Sequence, residues 1–342
     1  MAQHRTTLKD IAEKLGITVT SVSKALKDYP DISAETKKAV KKLAKKLNYQ
    51  PDSRAIAMKR NKSNIIGVII PEIVHYFFSN VIQGIMSYCD QKGYQALIAL
   101  SNNQKSLEKK QVNLMFNTRV DGVIASLANE SAKAKHFKIL KEYNIPLVLF
   151  DKIDERFECN KVKIDDRFGA FLATEHLINK GCKRLAHIRG PQHPLNAKER
   201  YNGFCDALKK HNLELDPTLI KICEKVTLSE GYDFAKELLA MDALPDGIFT
   251  VTDQVGVGVI KAAQEMDINI PKQLKVVGFS DSQIAQVVKP SLSTIHQPGY
   301  EIGETAARLL IEEIETREAD SESPVGFKQI TLDTYLIERE ST

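Results

Sequence analysis

The chain has 342 residues, 43% apolar and 27% charged, with a formal net charge of +4. That length leaves room for two or three domains, and the composition is that of an ordinary globular protein. No apolar run approaches the ~20 residues that span a bilayer, the opening MAQHRTTLKD lacks the apolar core of a signal peptide, and the five cysteines form no C-x-x-C pair, so neither a disulfide framework nor a zinc site is signalled.

The charge is unevenly spread. Residues 1–62 hold fifteen Lys and Arg against six Asp and Glu, a net +9, which leaves −5 on the remainder. A small basic head on a mildly acidic body is the asymmetry of a DNA-binding module carried by a regulatory domain.

Within the head, Leu8, Ile11, Ala12 and Leu15 follow the spacing of one helix face. Thr7 is placed to cap that helix, with Asp10 closing a capping box, and Gly16 supplies a left-handed stop. A second helix starts at Thr18 and turns Val22, Ala25 and Leu26 inward; the tight Leu15–Thr18 connection makes a helix-turn-helix. Ser33 caps a third helix with Val40, Leu43, Ala44 and Leu47 inward and six lysines on its other face. A lysine-rich face is commonly just wet surface, but the second helix argues for more. Its outward side offers Val19, Thr20, Ser23 and Lys24, short groups that suit base edges and thymine methyls, plus one cation for guanine or phosphate. Pro51 then ends the third helix. Residues 53–60 form at most two helical turns, too short to be stable alone, and a segment that orders only on docking is a switch.

From Ile65 the pattern changes to apolar runs separated by helical stretches. The runs are Ile65–Ile70, Ala96–Leu100, Gly122–Ala125, Leu147–Phe150, Leu185–Ile188, Gly247–Val251, Lys275–Gly278 and Gln329–Leu332. Near-continuous apolar strands between helices imply parallel sheets covered on both faces, here as two doubly wound α/β lobes. Such sheets bind ligands at the carboxyl ends of their strands. Phe77 and Phe78, Asp151, Arg200, Thr252, Asp253 and Ser280 fall at or just after those ends. Each has a bland reading: the phenylalanines as core, Asp253 as a helix cap, Arg200 as a surface ion pair. Only their joint position favours a site for a small polar ligand.

The motifs T-L-K-D-I-A (Thr7–Ala12), G-I-T-V-T-S-V-S-K-A-L (Gly16–Leu26) and Y-Q-P-D (Tyr49–Asp52) resemble the lac repressor family of bacterial transcription regulators. The resemblance continues through Val162–Ile178, Arg200–Phe204, Val276–Asp281 and Pro290–Pro298. It implies a head over 1–50, a hinge helix and linker over 51–63, and a body of the periplasmic-binding-protein type over 64–342. The implied N-lobe covers about 64–161 and 294–322, and the C-lobe about 162–293 and 323–342. The resemblance also implies duplex contacts from Thr7, Thr18, Val19, Thr20, Ser21, Ser23, Lys24 and Tyr49, and from Arg54, Ala55, Met58 and Lys59 of the hinge. Met58 stands where the family inserts a leucine between central base pairs. The implied effector positions are Phe77, Phe78, Ser126, Asp151, Arg200, Val226, Thr252, Asp253 and Ser280. Ser280 replaces a common aspartate, Thr252 an asparagine and Val226 an aromatic residue.

The expected function is a cytoplasmic, homodimeric repressor on a pseudo-palindromic operator, controlled by a sugar, sugar acid or sugar phosphate between the lobes, with no cofactor, metal or membrane partner. A nucleotide-dependent enzyme needs a Gly-rich phosphate loop after a strand. Gly256-x-Gly258 lies inside a predicted helix and lacks a third glycine, and the histidines show no metal spacing. A solute-binding protein for a transporter leaves the +9 head without a purpose.

Overall fold

The computed structural model describes residues 6–49, 62–319 and 326–342. The chain divides into two compact units, residues 1–63 and 64–342.

The first unit holds α1 (Leu8–Leu15), α2 (Val19–Leu26) and α3 (Ala34–Lys46). The caps are those the sequence predicts. Thr7 accepts from the Asp10 amide while the Asp10 carboxylate accepts from the Thr7 amide at 2.7 Å. Gly16 takes φ 65°, which costs glycine nothing. Thr18 caps α2 and Ser33 caps α3. Ile11, Val22, Ala25 and Val40 are fully buried and form the centre of this small core, with Ala12 and Ala44 beside them.

The second unit contains two parallel sheets. The first has the order β2-β1-β3-β4-β5-β11, from β1 (Ile65–Ile70), β2 (Gln95–Leu100), β3 (Gly122–Ala125), β4 (Leu147–Phe150), β5 (Asn160–Ile164) and β11 (Gln329–Leu332). The second has the order β7-β6-β8-β9, from β6 (Leu185–Arg189), β7 (Ile220–Ile222), β8 (Gly247–Thr250) and β9 (Lys275–Val277). The chain passes between them three times: after β5, through β10 (Thr294–Ile295), and between β11 and β12 (Leu336–Ile337), with β10 and β12 paired antiparallel.

The first sheet is covered by α4 (Tyr76–Gln91), α5 (Lys105–Thr118), α6 (Lys138–Glu142) and α12 (Gly299–Ala319). The second is covered by α7 (Asp166–Asn179), α8 (Leu195–Lys210), α9 (Leu228–Leu239) and α10 (Asp253–Glu265), with the short α11 (Gln283–Val287) beyond them. Both faces of the central strands are therefore dry, which is why β1 reads IIGVII rather than alternating.

The lobe boundaries need correction. The run at 329–332, expected in the C-lobe, pairs in parallel with β5 along Gln329↔Lys161 to Leu332↔Ile164, so it forms the outer edge of the first sheet. Residues 162–164 likewise belong to that sheet. The crossovers thus fall after Ile164 and after Leu332. β5 is short and carries two lysines and an asparagine, so its apolar signal is weak, whereas the run at 329–332 is legible as a strand but not in its pairing.

Candidate functional site

In the head, Val22 and Ala25 anchor α2 inward, which turns Thr20 and Lys24, one helical turn apart, outward. Val19 is 43% exposed, an unusual setting for an apolar side chain and a suitable one for a thymine methyl. Ser23 is half-buried on the same side. Three other predicted contacts have structural work: Thr7 and Thr18 are caps, and the Ser21 hydroxyl lies 2.9 Å from that of Thr18. Tyr49 is half-buried and packs against the head core. Lys24 is ion-paired with Asp31, an acid that motif reading passed over. Arg54, Ala55, Met58 and Lys59, the predicted hinge contacts, lie outside the described residues.

In the body, a cavity of about 290 Å³ opens at the carboxyl ends of both sheets, where open α/β folds place their ligands. Eight of the nine predicted effector positions line it: Phe77, Phe78, Asp151, Arg200, Val226, Thr252, Asp253 and Ser280. Ser126 does not. It is fully buried one residue beyond β3, its amide still in the ladder with the Ile69 carbonyl at 3.0 Å, and its hydroxyl has no hydrogen-bond partner among the described residues.

Phe77 and Phe78 are both core and wall. They are 8% and 4% exposed, stacked edge to face at 5.2 Å, and Phe78 continues to Phe150 at 6.3 Å. Arg200 is a buried strut. Its Nε donates to Asp166 at 2.8 Å, one terminal nitrogen donates to the Val251 carbonyl at 2.7 Å, and the guanidinium lies 3.6 Å from the centre of the Phe279 ring. Burial pushes the Asp166 carboxyl up to about 6 against the pull of Arg200. Asp253 is a second strut. One oxygen accepts from the Ser282 amide at 2.6 Å and the other from the Thr294 hydroxyl. Burial raises it too to about 6.

Asp151 is more open to a ligand. Its Oδ1 accepts from Asn196 of α8 at 3.1 Å and from Gln297 of the crossover at 3.3 Å, while Gln297 in turn accepts from Ser280 at 3.0 Å. This relay ties the strand end of one sheet to the loop of the other. Asp151, Val226, Ser280 and Asp281 all take positive φ, at 55°, 55°, 108° and 51°. For a β-branched valine this is strained, and such strain gathers at ligand clamps.

Several wall residues lay outside the predicted set. Lys152 donates to Asn129 at 2.6 Å and Asn103 at 3.2 Å, and burial lowers its pKa. Glu72 pairs with His75 at 3.0 Å, and Asn196 and Gln297 complete the relay. Lys152 follows Asp151 directly at the end of β4, so the strand-end rule alone points to it. Among the described residues no cluster of potential metal ligands occurs, and no helix is long and apolar enough to cross a membrane.

A capped helix-turn-helix with a basic surface, joined to a bilobed body with a cavity at its strand ends whose apolar walls carry a few convergent charged groups, defines the class of ligand-responsive transcription regulators. Comparison with known proteins agrees: residues 7–52 match the bacterial regulatory proteins of the lacI family, and residues 174–342 match a periplasmic binding protein-like domain. The chain is 33% identical to the Ribose operon repressor of Halalkalibacterium halodurans, over 98% of this chain and 97% of that one. This chain therefore belongs to the lacI family of bacterial transcription regulators. Among solved structures it is 25% identical to a transcriptional regulator CelR–cellobiose complex, with a TM-score of 0.74 and coverage of 99% and 100%. The fold of the lac repressor dimer bound to operator and the anti-inducer ONPF matches with a TM-score of 0.85 over 99% of each chain, at 22% identity.

Proposed function

We propose that this regulator is a homodimeric repressor of the cytoplasm that binds a pseudo-palindromic operator and answers to a neutral sugar of monosaccharide size. The observation that carries the ligand class is the charge of the cleft. Glu72, Asp151, Asp253 and the adjoining Asp166 supply four carboxylates, whereas Lys152 and Arg200 supply two cations, one of them already tied to Asp166. A sugar phosphate or sugar acid meets net repulsion there. A neutral polyol meets acceptors for its hydroxyls, donors for its oxygens and the faces of Phe77 and Phe78. The cavity lies at the small end of the ~300–1,000 Å³ usual for ligand sites. The names of the relatives, a ribose operon repressor and a cellobiose complex, support a sugar.

Val19, Thr20, Ser23 and Lys24 are the side chains we assign to the major groove. Thr7, Thr18, Ser21 and Tyr49 support that face, and Arg54, Ala55, Met58 and Lys59 are assigned to the hinge contact. A thermal-shift screen of the full chain tests the ligand class. A neutral sugar at ~100 times its Kd stabilises by about 2.7 kcal/mol, a rise of several degrees in Tm. A sugar phosphate that stabilises more than its neutral parent contradicts the proposal.

A further inference from the structure

The loop that follows β3 carries a residue of the cavity wall, and a buried carboxylate outside the cavity holds that loop. Glu108 stands in the first turn of α5, is fully buried and does not line the cavity. Its Oε1 accepts from the Ala128 amide at 2.5 Å and its Oε2 from the Ser131 hydroxyl at 2.5 Å. The Nε2 of His136, a side chain only 7% exposed, lies 2.7 Å from Oε2. Ala128 and Ser131 are buried as well. A carboxylate taken out of water is stable only where partners meet its lone pairs. Here the loop supplies them, so the carboxylate and the loop fix each other.

Between the two gripped positions stands Asn129, which does line the cavity. Its Oδ1 accepts from the Lys152 ammonium at 2.6 Å. Its backbone amide donates to Asn103 Oδ1 at 3.3 Å, the same oxygen that accepts from Lys152 at 3.2 Å. An ammonium has three donors. The two asparagines take two and leave one for the cavity that Lys152 lines. A lysine stem is flexible, so the direction of that last donor depends on where the two acceptors stand.

We propose that Glu108 is a positioning residue of the effector site. By gripping Ala128 and Ser131 it fixes Asn129, and through Asn129 it aims the Lys152 ammonium at an oxygen of the bound sugar. The inference rests on the neutral-sugar reading of the cavity. No regular strand or helix holds the chain between β3 and the 3-10 turn at Lys135–Phe137, so the carboxylate takes the place of such an element. A binding group held in place before the ligand arrives spends less on ordering when it binds.

The full chain is first screened by thermal shift against a panel of neutral aldopentoses and aldohexoses. The sugar that raises its Tm most is then titrated calorimetrically at a temperature well below Tm. Glu108→Ala lowers the Tm of the ligand-free protein and weakens sugar binding roughly tenfold, within the scale of coupling in one hydrogen-bond network. Glu108→Gln keeps an acceptor for the Ala128 amide and lets the Ser131 hydroxyl turn to accept, so it binds close to wild type. Ser131→Ala is the milder lesion, keeps the Ala128 contact and serves if Glu108→Ala folds poorly; it weakens binding several-fold. In an Asn129→Ala background neither variant weakens binding further, although Glu108→Ala still lowers Tm. A fall in Tm with an unchanged Kd makes the clamp purely structural and overturns the proposal. A loss of affinity that persists undiminished in the Asn129→Ala background overturns the route through Asn129. A wild type that no sugar of the panel stabilises removes the neutral-sugar reading and the proposal with it, a result distinct from a normal response in the variants.

Discussion

At the scale of single residues, Arg200 and His187 show how burial changes a side chain's role. Arg200 looks from sequence like a ligand clamp, and it does line the cavity, yet two of its donors serve Asp166 and the Val251 carbonyl. With both members of the pair under a tenth exposed, Arg200→Ala strands a buried carboxylate and destabilises the body by roughly 3–5 kcal/mol. Thermal unfolding shows this as a drop in Tm even without ligand; an unchanged Tm contradicts the strut assignment. His187 is fully buried, stacked on Phe249 at 4.7 Å, and donates through Nδ1–H to the Phe249 carbonyl at 2.9 Å. Burial holds its pKa down to about 3. The unfolded chain takes up a proton near 6.5 and the folded one does not, so this residue's contribution is lost as pH falls from 6.5 towards 3. Asp166 and Asp253, raised to about 6, act with the opposite sign. A comparison with His187→Phe isolates the histidine. Between pH 6 and 4 the wild type loses about 1.4 kcal/mol per pH unit relative to the variant, and a pH-independent difference rules this out. The motifs gave the identity of Arg200, but no sequence pattern reveals which of its nitrogens are already used. Ser126 illustrates the same limit. A position one residue beyond a strand end tells nothing of whether the side chain faces the cavity or the sheet.

At the scale of elements, the close pairing of α4 with α12 holds the first lobe together. A Cβ on Gly303 would lie 2.0 Å from the Val81 carbonyl oxygen, and one on Gly84 would lie 2.1 Å from that of Tyr300. The two helices therefore approach backbone to backbone. Gly303→Ala forces them apart and costs roughly 1–3 kcal/mol, read as a Tm several degrees lower with the head's helicity unchanged; a neutral substitution contradicts the packing. Neither glycine has a positive φ, so nothing in local turn chemistry marks them. The strong elements were legible because their patterns are strong: Thr7 with Asp10, Gly16 after Leu15, and the apolar runs of β1, β3, β4 and β8. The strands β5, β7, β10 and β12 escaped detection because β5 and β7 are short and mix lysines with apolar side chains, while β10 and β12 are only two residues long. Their pairing is decided by neighbours distant in sequence. That is also why the expected lobe boundaries were misplaced at 161 and 322.

At the scale of the molecule, the charge split of +9 and −5 and the motif order point to a DNA-binding head governed by a ligand-binding body. The proposal of a neutral sugar rests on the excess of carboxylates at the cleft, Glu72, Asp151 and Asp253, with Asp166 adjoining. Coupling between such sites typically amounts to ~1–3 kcal/mol, or about 5–150-fold in affinity. The most direct measurement is the affinity of the full chain for its selected duplex, with and without a neutral sugar that raises its Tm. The account predicts a change of at least 5-fold. An affinity that stays constant at saturating sugar contradicts it.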